Sequence, residues 1–212
     1  MSRGKFITLE GIEGAGKSTA ARFVAATLTA AGHTVLVTRE PGGAPLAERV
    51  RQIVLERGTE VVTPVAETLL MFAARALHVT HVIRPSLARG EWVVCDRFTD
   101  ATRAYQGSAR GVDAALIEQL AQAVHGDLQP DCTLLLDLAV PAGLTRARAR
   151  AGAADRFEAE TVSFFEKVRA GYLALARAEP ERVHLIDAAS PLPQVERAIG
   201  AILQSLSARP PA

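Results

Sequence analysis

Gly11-Ile12-Glu13-Gly14-Ala15-Gly16-Lys17-Ser18 fits the pattern G-x-x-x-x-G-K-[ST] and follows an apolar run, Phe6-Ile7-Thr8-Leu9. This is a P-loop. Its glycines let successive backbone N–H groups close on a polyphosphate, Lys17 reaches the β and γ oxygens, and the Ser18 hydroxyl is placed to ligate Mg2+. The chemistry therefore concerns a nucleoside triphosphate, cradled by Gly11, Ile12, Glu13, Gly14, Ala15, Gly16, Lys17, Ser18 and Thr19. A glycine-rich turn without a ligand is the alternative. The order of strand, loop and an Ala-rich helix from Lys17 to about Ala31 counts against it.

Asp96 closes a second apolar run, Trp92-Val93-Val94-Cys95, where many P-loop proteins hold Mg2+ with a carboxylate, directly or through water. A helix cap for the segment near Thr99 is the other reading, and Asp96 lies too early for it. Arg97 beside it suits an acceptor phosphate. A helix from about Val65 to Leu87 carries Met71, Phe72 and Arg75 along one side, either as a base-stacking wall with a polar reader or as ordinary core. Thr102, Tyr105 and Gln106 share a helical face whose hydroxyl, phenol and carboxamide could address a base edge and a sugar. Arg146 and Arg150 lie about 40° apart on a helix that meets a Gly/Ala break. They read as a flap over a transferring phosphoryl group or as a solvated basic face, and the P-loop, which contains no arginine, favours the flap.

The elements that must position these residues are visible as apolar runs. β-rich stretches at 6–9, 34–38, 92–95, 132–136 and 183–186 alternate with helical patterns, which predicts a parallel α/β sheet covered on both faces. In such sheets ligands gather beyond the carboxyl ends of the strands. Polar residues fall there: Glu10 to Ser18, Arg39 to Gly43, Asp96-Arg97, Asp137 and Asp187. With 212 residues and 49% hydrophobic content, one domain spanning 1–212 is expected. A net charge of +1 gives no general pull toward nucleic acid or membrane. Cys95 and Cys132 lack metal-ligand spacing and read as buried thiols in a reducing compartment. No signal segment or membrane-length apolar run is apparent, so a cytoplasmic protein is expected. Residues 207–212 read as a frayed tail.

Five segments together resemble the bacterial thymidylate (dTMP) kinases: Leu9 to Thr19, Thr38-Arg39-Glu40-Pro41-Gly42-Gly43, Asp96-Arg97-Phe98, Ala104-Tyr105-Gln106-Gly107 and Asp155-Arg156-Phe157-Glu158. The resemblance implies a P-loop NTPase-type three-layer fold with a five-stranded parallel sheet and a short Arg-rich LID at about 146–157. It implies phosphorylation of dTMP to dTDP by ATP with Mg2+, in a homodimer. Arg51 and Arg97 would hold the dTMP phosphate. Arg75 and Thr102 would address the thymine edge with Gln106 nearby, Tyr105 would crowd the sugar 2′ position, and Glu13 would face the 3′-hydroxyl. Lys17, Arg97 and Arg150 would be catalytic, Ser18 and Asp96 would hold the metal, and adenine would lie between Arg146 and Asp187-Ala188-Ala189.

Two departures from the family pattern stand out. Met71 occupies the position where a phenylalanine often stacks on the base, with Phe72 one residue and about 100° away, so either could stack. Ala101 removes a polar side chain before Thr102. The acceptor is itself a phosphate monoester, so the expected catalysis is alignment of two anions and screening of their repulsion, without a strong general base. A kinase for another small acceptor is the nearest rival. A GTP-dependent switch is excluded in its usual form, because a chain without asparagine cannot carry an Asn-Lys-x-Asp element.

Overall fold

The computed structural model describes residues 3–56, 61–149, 156–157 and 160–208. Its five strands are β1 (Phe6–Glu10), β2 (Val35–Arg39), β3 (Trp92–Asp96), β4 (Cys132–Asp137) and β5 (Val183–Asp187). They form one sheet in the order β2-β3-β1-β4-β5, and every neighbouring pair is parallel. The five expected runs thus correspond one to one with strands, each reaching one residue further toward its carboxyl end. Order reverses at β1, which pairs with β3 on one side and β4 on the other. That switch point opens the crevice in which the P-loop lies.

Strand side chains alternate between two covered faces. Ile7, Leu9, Trp92 and Val94 enter the main core, while Phe6, Val93 and Cys95 enter a second cluster with Val79, Ile83 and Leu87. This double burial explains why the strands read as unbroken apolar runs. The helices around the sheet are α1 (Lys17–Ala30), α2 (Pro45–Leu55), α3 (Pro64–His78), α4 (Arg84–Ala88), α5 (Thr99–Thr102), α6 (Ala114–Val124), α7 (Val140–Arg148), α8 (Val162–Ala178) and α9 (Leu192–Ala208). Both cysteines are buried.

The long helix expected from Val65 to Leu87 is continuous but not uniform: a π-helical turn, Val79–Ile83, joins α3 to α4. A second π-helical segment, Arg103–Ala109, follows α5 and carries Tyr105 and Gln106. Such widened turns recur at functional sites because they re-aim side chains within a helix. The tail needs a correction. Helix α9 runs through Ala208 with Leu206 only 5% exposed, so Ser207 and Ala208 are helical, while 209–212 lie outside the described residues.

Candidate active site

The P-loop turns between β1 and α1. Gly16 takes a left-handed φ of 97° just before the helix starts, and no side chain caps that end. The Lys17 and Ser18 N–H groups are therefore left for an anion, while the Thr19 N–H donates to the Gly16 carbonyl at 3.0 Å. Gly14 also has positive φ, and a Cβ on it would sit 2.0 Å from the Gly143 carbonyl oxygen. The absence of side chains at Gly14 and Gly143 lets the backbone of α7 lie directly on the loop, which brings Arg146 to the same space. Ile12 and Ala15 bury their side chains in the core, so they present only backbone to a phosphate. Lys17 Nζ donates to the Gly11 and Ile12 carbonyls at 3.1 and 2.9 Å. Burial, then the Arg97 charge, lowers its pKa to about 8.

In front of the loop is a polar cavity of about 530 Å3 whose walls include Lys17, Ser18, Arg51, Asp96, Arg97 and Arg146. The expected phosphate residues therefore do converge. Asp96 does not cap α5, whose cap position is Phe98 and has no side-chain bond. Its Oδ1 is buried without a partner among the described residues. A bare hard oxygen on the same cavity as the Ser18 hydroxyl fits a Mg2+ that draws its other ligands from phosphate and water.

Arg97 is held unusually firmly. Among the described residues it is the non-glycine residue with positive φ, 73°, and its guanidinium is divided among three partners. Nη2 donates to Glu13 Oε1 at 2.8 Å and to the Tyr105 hydroxyl at 2.9 Å, and Nη1 donates to the Tyr172 hydroxyl at 3.1 Å. Tyr105 in turn donates to Glu13 Oε2 at 2.6 Å. Burial alone would raise the Glu13 carboxyl, but the Arg97 and Lys17 charges outweigh it and hold it below the usual range. Behind this clamp is Glu10, fully buried at the end of β1. Tyr172 donates to its Oε2 at 2.7 Å, and the Phe98 N–H donates to its Oε1 at 2.7 Å, fixing the backbone just after the strained Arg97. Burial, then the nearby Asp100 charge, raises its pKa to about 8.

A smaller cavity of about 120 Å3 adjoins the first and shares Glu13, Glu40, Arg51 and Arg97 with it. Arg51 is anchored by donating to the Pro41 carbonyl at 2.9 Å. The far end is lined by Met71, Arg75, Ala101, Thr102, Tyr105 and Gln106. Arg75 is 3% exposed and donates to Glu40 Oε2 at 2.7 Å, to the Phe98 carbonyl at 3.1 Å and to Thr102 Oγ1 at 3.2 Å. Burial would raise the Glu40 carboxyl, but Arg75 and then His78 bring it below the usual range. His78 Nδ1 lies 2.9 Å from Glu40 Oε1, and its Nε2 lies 2.8 Å from Thr38 Oγ1.

Several expectations need correction here. Met71, not Phe72, lines the small cavity. Phe72 packs with Val112, Ile117 and Ala121, and it touches the site only as the ring under the Arg75 guanidinium, 4.8 Å away. The helical offset between the two residues decides this: one faces the crevice and the other the core. On the other side of the P-loop, a third cavity of about 310 Å3 includes Arg146 and Ala188 but neither Asp187 nor Ala189. Asp187 is spent on its own turn, accepting from the Ala189 N–H and the Ser190 hydroxyl at 2.9 Å each. Arg146 Nη1 donates to the Ala188 carbonyl at 3.0 Å. Of the expected LID, residues 146–149 and 156–157 are described; Arg150 lies outside them.

Sequence reasoning missed groups that support the site: Glu10, Glu40, His78 and Tyr172. Glu10 and Glu40 sit among the polar residues after β1 and β2, which was a signal. His78 and Tyr172 gave none, because each lies within a helical pattern.

Comparison with known proteins points to one family. A family model described as thymidylate kinase matches residues 9–199. A thymidylate kinase of Pseudomonas fluorescens is 56% identical over 97% of this chain and 98% of its own length. One of Methylococcus capsulatus is 54% identical over 98% and 99%, respectively. The crystal structure of a thymidylate kinase from Ehrlichia chaffeensis superposes with a TM-score of 0.77 at 33% identity, covering 95% of this chain and 99% of that one.

Proposed function

The chain belongs to the thymidylate kinase family, and we propose that its three adjoining cavities seat ATP and dTMP end to end. Its reaction is phosphorylation of dTMP to dTDP. The observation that carries the arrangement is the shared wall. Arg51 and Arg97 border both the cavity in front of Lys17 and the smaller one ending at Arg75 and Gln106. A phosphate on those arginines faces a triphosphate on the P-loop, with the base directed toward Arg75.

Adenine lies on the side of Arg146 and Ala188, and the triphosphate runs over Gly14, Gly16 and Lys17 to Thr19. Ser18 and Asp96 would hold Mg2+, which when bound offsets charge on the β and γ phosphates. Lys17 leaves the loop carbonyls for the phosphate oxygens, whose negative charge favours its protonated form. Arg97, pre-oriented by Glu13, Tyr105 and Tyr172, meets the acceptor phosphate without reorganisation. Glu13 is directed to the sugar 3′-hydroxyl and the Tyr105 ring to the 2′ position. Arg150 is assigned to the transferring phosphoryl group.

A homodimer belongs to the same reading. Leu46 and Ile53 on α2 and Val65 and Leu69 on α3 are about half exposed. They repeat at one-face spacings of seven and four, and apolar surface of this kind favours a second copy. A cytoplasmic setting fits two buried cysteines without the spacing of a disulfide framework. No helix among the described residues is long and apolar enough to cross a membrane.

ADP release measured with ATP alone, and with ATP plus dTMP, dUMP, dCMP or thymidine, tests the assignment. Strong dependence on dTMP is expected. Release that is independent of the acceptor, or equal with thymidine, would remove the two-phosphate arrangement.

A further inference from the structure

Glu67 lies in the first turn of α3, a place where an acidic side chain ordinarily faces water, yet it is 0% exposed. Three groups distant in sequence enclose its carboxylate. Gln106 Nε2 donates to Oε1 at 2.7 Å, Arg110 Nε lies 3.3 Å from Oε1, and Arg156 Nη2 lies 2.7 Å from Oε2. Both guanidinium groups are themselves pinned. Arg156 Nε donates to the Val54 carbonyl at 3.0 Å and its Cζ lies 4.8 Å from the Phe157 ring centre, while Arg110 Cζ lies 4.7 Å from that of Phe164. The mechanism above makes no use of Glu67, and it does not border the acceptor cavity.

We infer that Glu67 is a positioning residue for base specificity: it fixes the Gln106 side-chain amide so that its carbonyl oxygen is what the acceptor cavity meets, selecting a pyrimidine whose ring N3 carries a hydrogen. This rests on reading that cavity as the dTMP site. An ionised carboxylate flanked by two guanidinium groups can only accept hydrogen bonds. Gln106 must therefore turn its NH2 toward Glu67. The reversed amide would press a carbonyl oxygen against a carboxylate oxygen in a water-free contact, disfavoured by about tenfold to a hundredfold. With the NH2 end turned to Glu67, the carbonyl end of the amide faces away from that carboxylate and is the acceptor that Gln106, 1% exposed, has for the cavity it lines.

Arg75, on the same cavity, is a donor only. A fixed donor beside a fixed acceptor matches the O4 and N3–H edge of thymine or uracil. Cytosine offers a donor at N4 and an acceptor at N3, the reverse at both positions. The discrimination at N3 thus depends on a carboxylate that never touches the base. Buried polar groups left unpaired by the wrong base are what make such rejection effective.

The test is Glu67→Gln, which keeps the shape but offers Gln106 either a donor or an acceptor, and so frees its amide to turn. The readouts are kcat and KM for dTMP and the Ki of dCMP as a competitive inhibitor, taken on one preparation so that their ratio is independent of the folded fraction. The expected result is a preference for dTMP over dCMP reduced by about tenfold, with kcat at saturating dTMP within about threefold of the wild type. The exchange Glu67→Gln with Gln106→Glu restores a donor facing an acceptor and should recover much of the preference, whereas Gln106→Glu alone should not. An unchanged preference in Glu67→Gln, with wild-type enzyme that does phosphorylate dTMP, overturns the inference and leaves the proposed reaction standing. A wild type without dTMP-dependent ADP release overturns both.

Discussion

Replacing Glu10 by glutamine should change how stability depends on pH while leaving the phosphate clamp nearly intact. Glu10 is buried at the end of β1, and its pKa is raised from 4.5 to about 8 by burial and by Asp100. A carboxyl displaced by this much stores about 5 kcal/mol against ionisation, at 1.36 kcal/mol for each tenfold change in proton affinity. The folded chain therefore keeps a proton over a range in which the unfolded chain has released it. This stability is fully present below about pH 4.5 and is lost as pH rises through about 8, at about 1.4 kcal/mol per pH unit. Glutamine ionises in neither state. Its carbonyl can accept from the Phe98 N–H and its NH2 group can donate to the Tyr172 hydroxyl oxygen, so both contacts behind Arg97 persist, the second with its direction reversed. Urea unfolding from pH 5.5 to 8.5 at constant ionic strength should show the variant gaining on the wild type by roughly 1.4 kcal/mol per pH unit, then levelling off. The KM for dTMP at pH 7 should change by less than about threefold. Parallel stability profiles would mean that Glu10 titrates normally in the fold, and the account of a proton held behind Arg97 would be withdrawn.

Arg75→Ala should destabilise the fold by about 3–5 kcal/mol, because it removes the guanidinium paired with the Glu40 carboxylate, 3% exposed, and leaves that carboxylate with the His78 Nδ1 contact; thermal unfolding checks this, and a loss under about 1 kcal/mol would show that the pair is dispensable. Arg150→Ala should lower kcat much more than it changes the KM for dTMP, and the opposite split in steady-state kinetics would reassign Arg150 to ground-state binding. Tyr105→Phe removes the bonds to Glu13 and Arg97 but keeps the ring, so the KM for dTMP should rise by about tenfold while preference over the ribose analogue persists; lost preference would place that discrimination in the hydroxyl. Asp96→Asn should raise the Mg2+ concentration needed for half-maximal activity by at least about tenfold, and an unchanged Mg2+ titration would remove Asp96 from the metal site.

What the sequence disclosed, and what it withheld, follows from which interactions leave a periodic or local trace. The five strands were legible because burial on both faces enforces unbroken apolar runs. The P-loop was legible because its backbone requires Gly11 and Gly16 at fixed spacing from Lys17. Even there one partner was hidden: Gly143 must lack a side chain for α7 to lie against the loop, but in sequence it is simply a glycine in a helical pattern. Arg51, Arg75 and Arg97 could be proposed by position, but the choice between Met71 and Phe72 turned on the angle at which α3 meets the crevice, which no local pattern records.

The buried acids mark the sharper boundary. Glu67, in the first turn of α3 after Thr63 and Pro64, has the sequence setting of a surface acid that complements a helix dipole. Its actual environment is set by Gln106, Arg110 and Arg156, which arrive from a π-helical segment, the turn after it, and the end of the LID span. The same holds for Glu10 with Tyr172, 162 residues apart. Burying such a group is tolerable only when the partners coincide in space, since an unpaired buried charge costs several kcal/mol. Every buried acid of this kind is therefore a constraint tying distant segments together, and in this chain those constraints gather behind the acceptor cavity. There they fix the positions of the side chains that meet the nucleotide, which is why substitutions at residues that touch no substrate should alter its recognition.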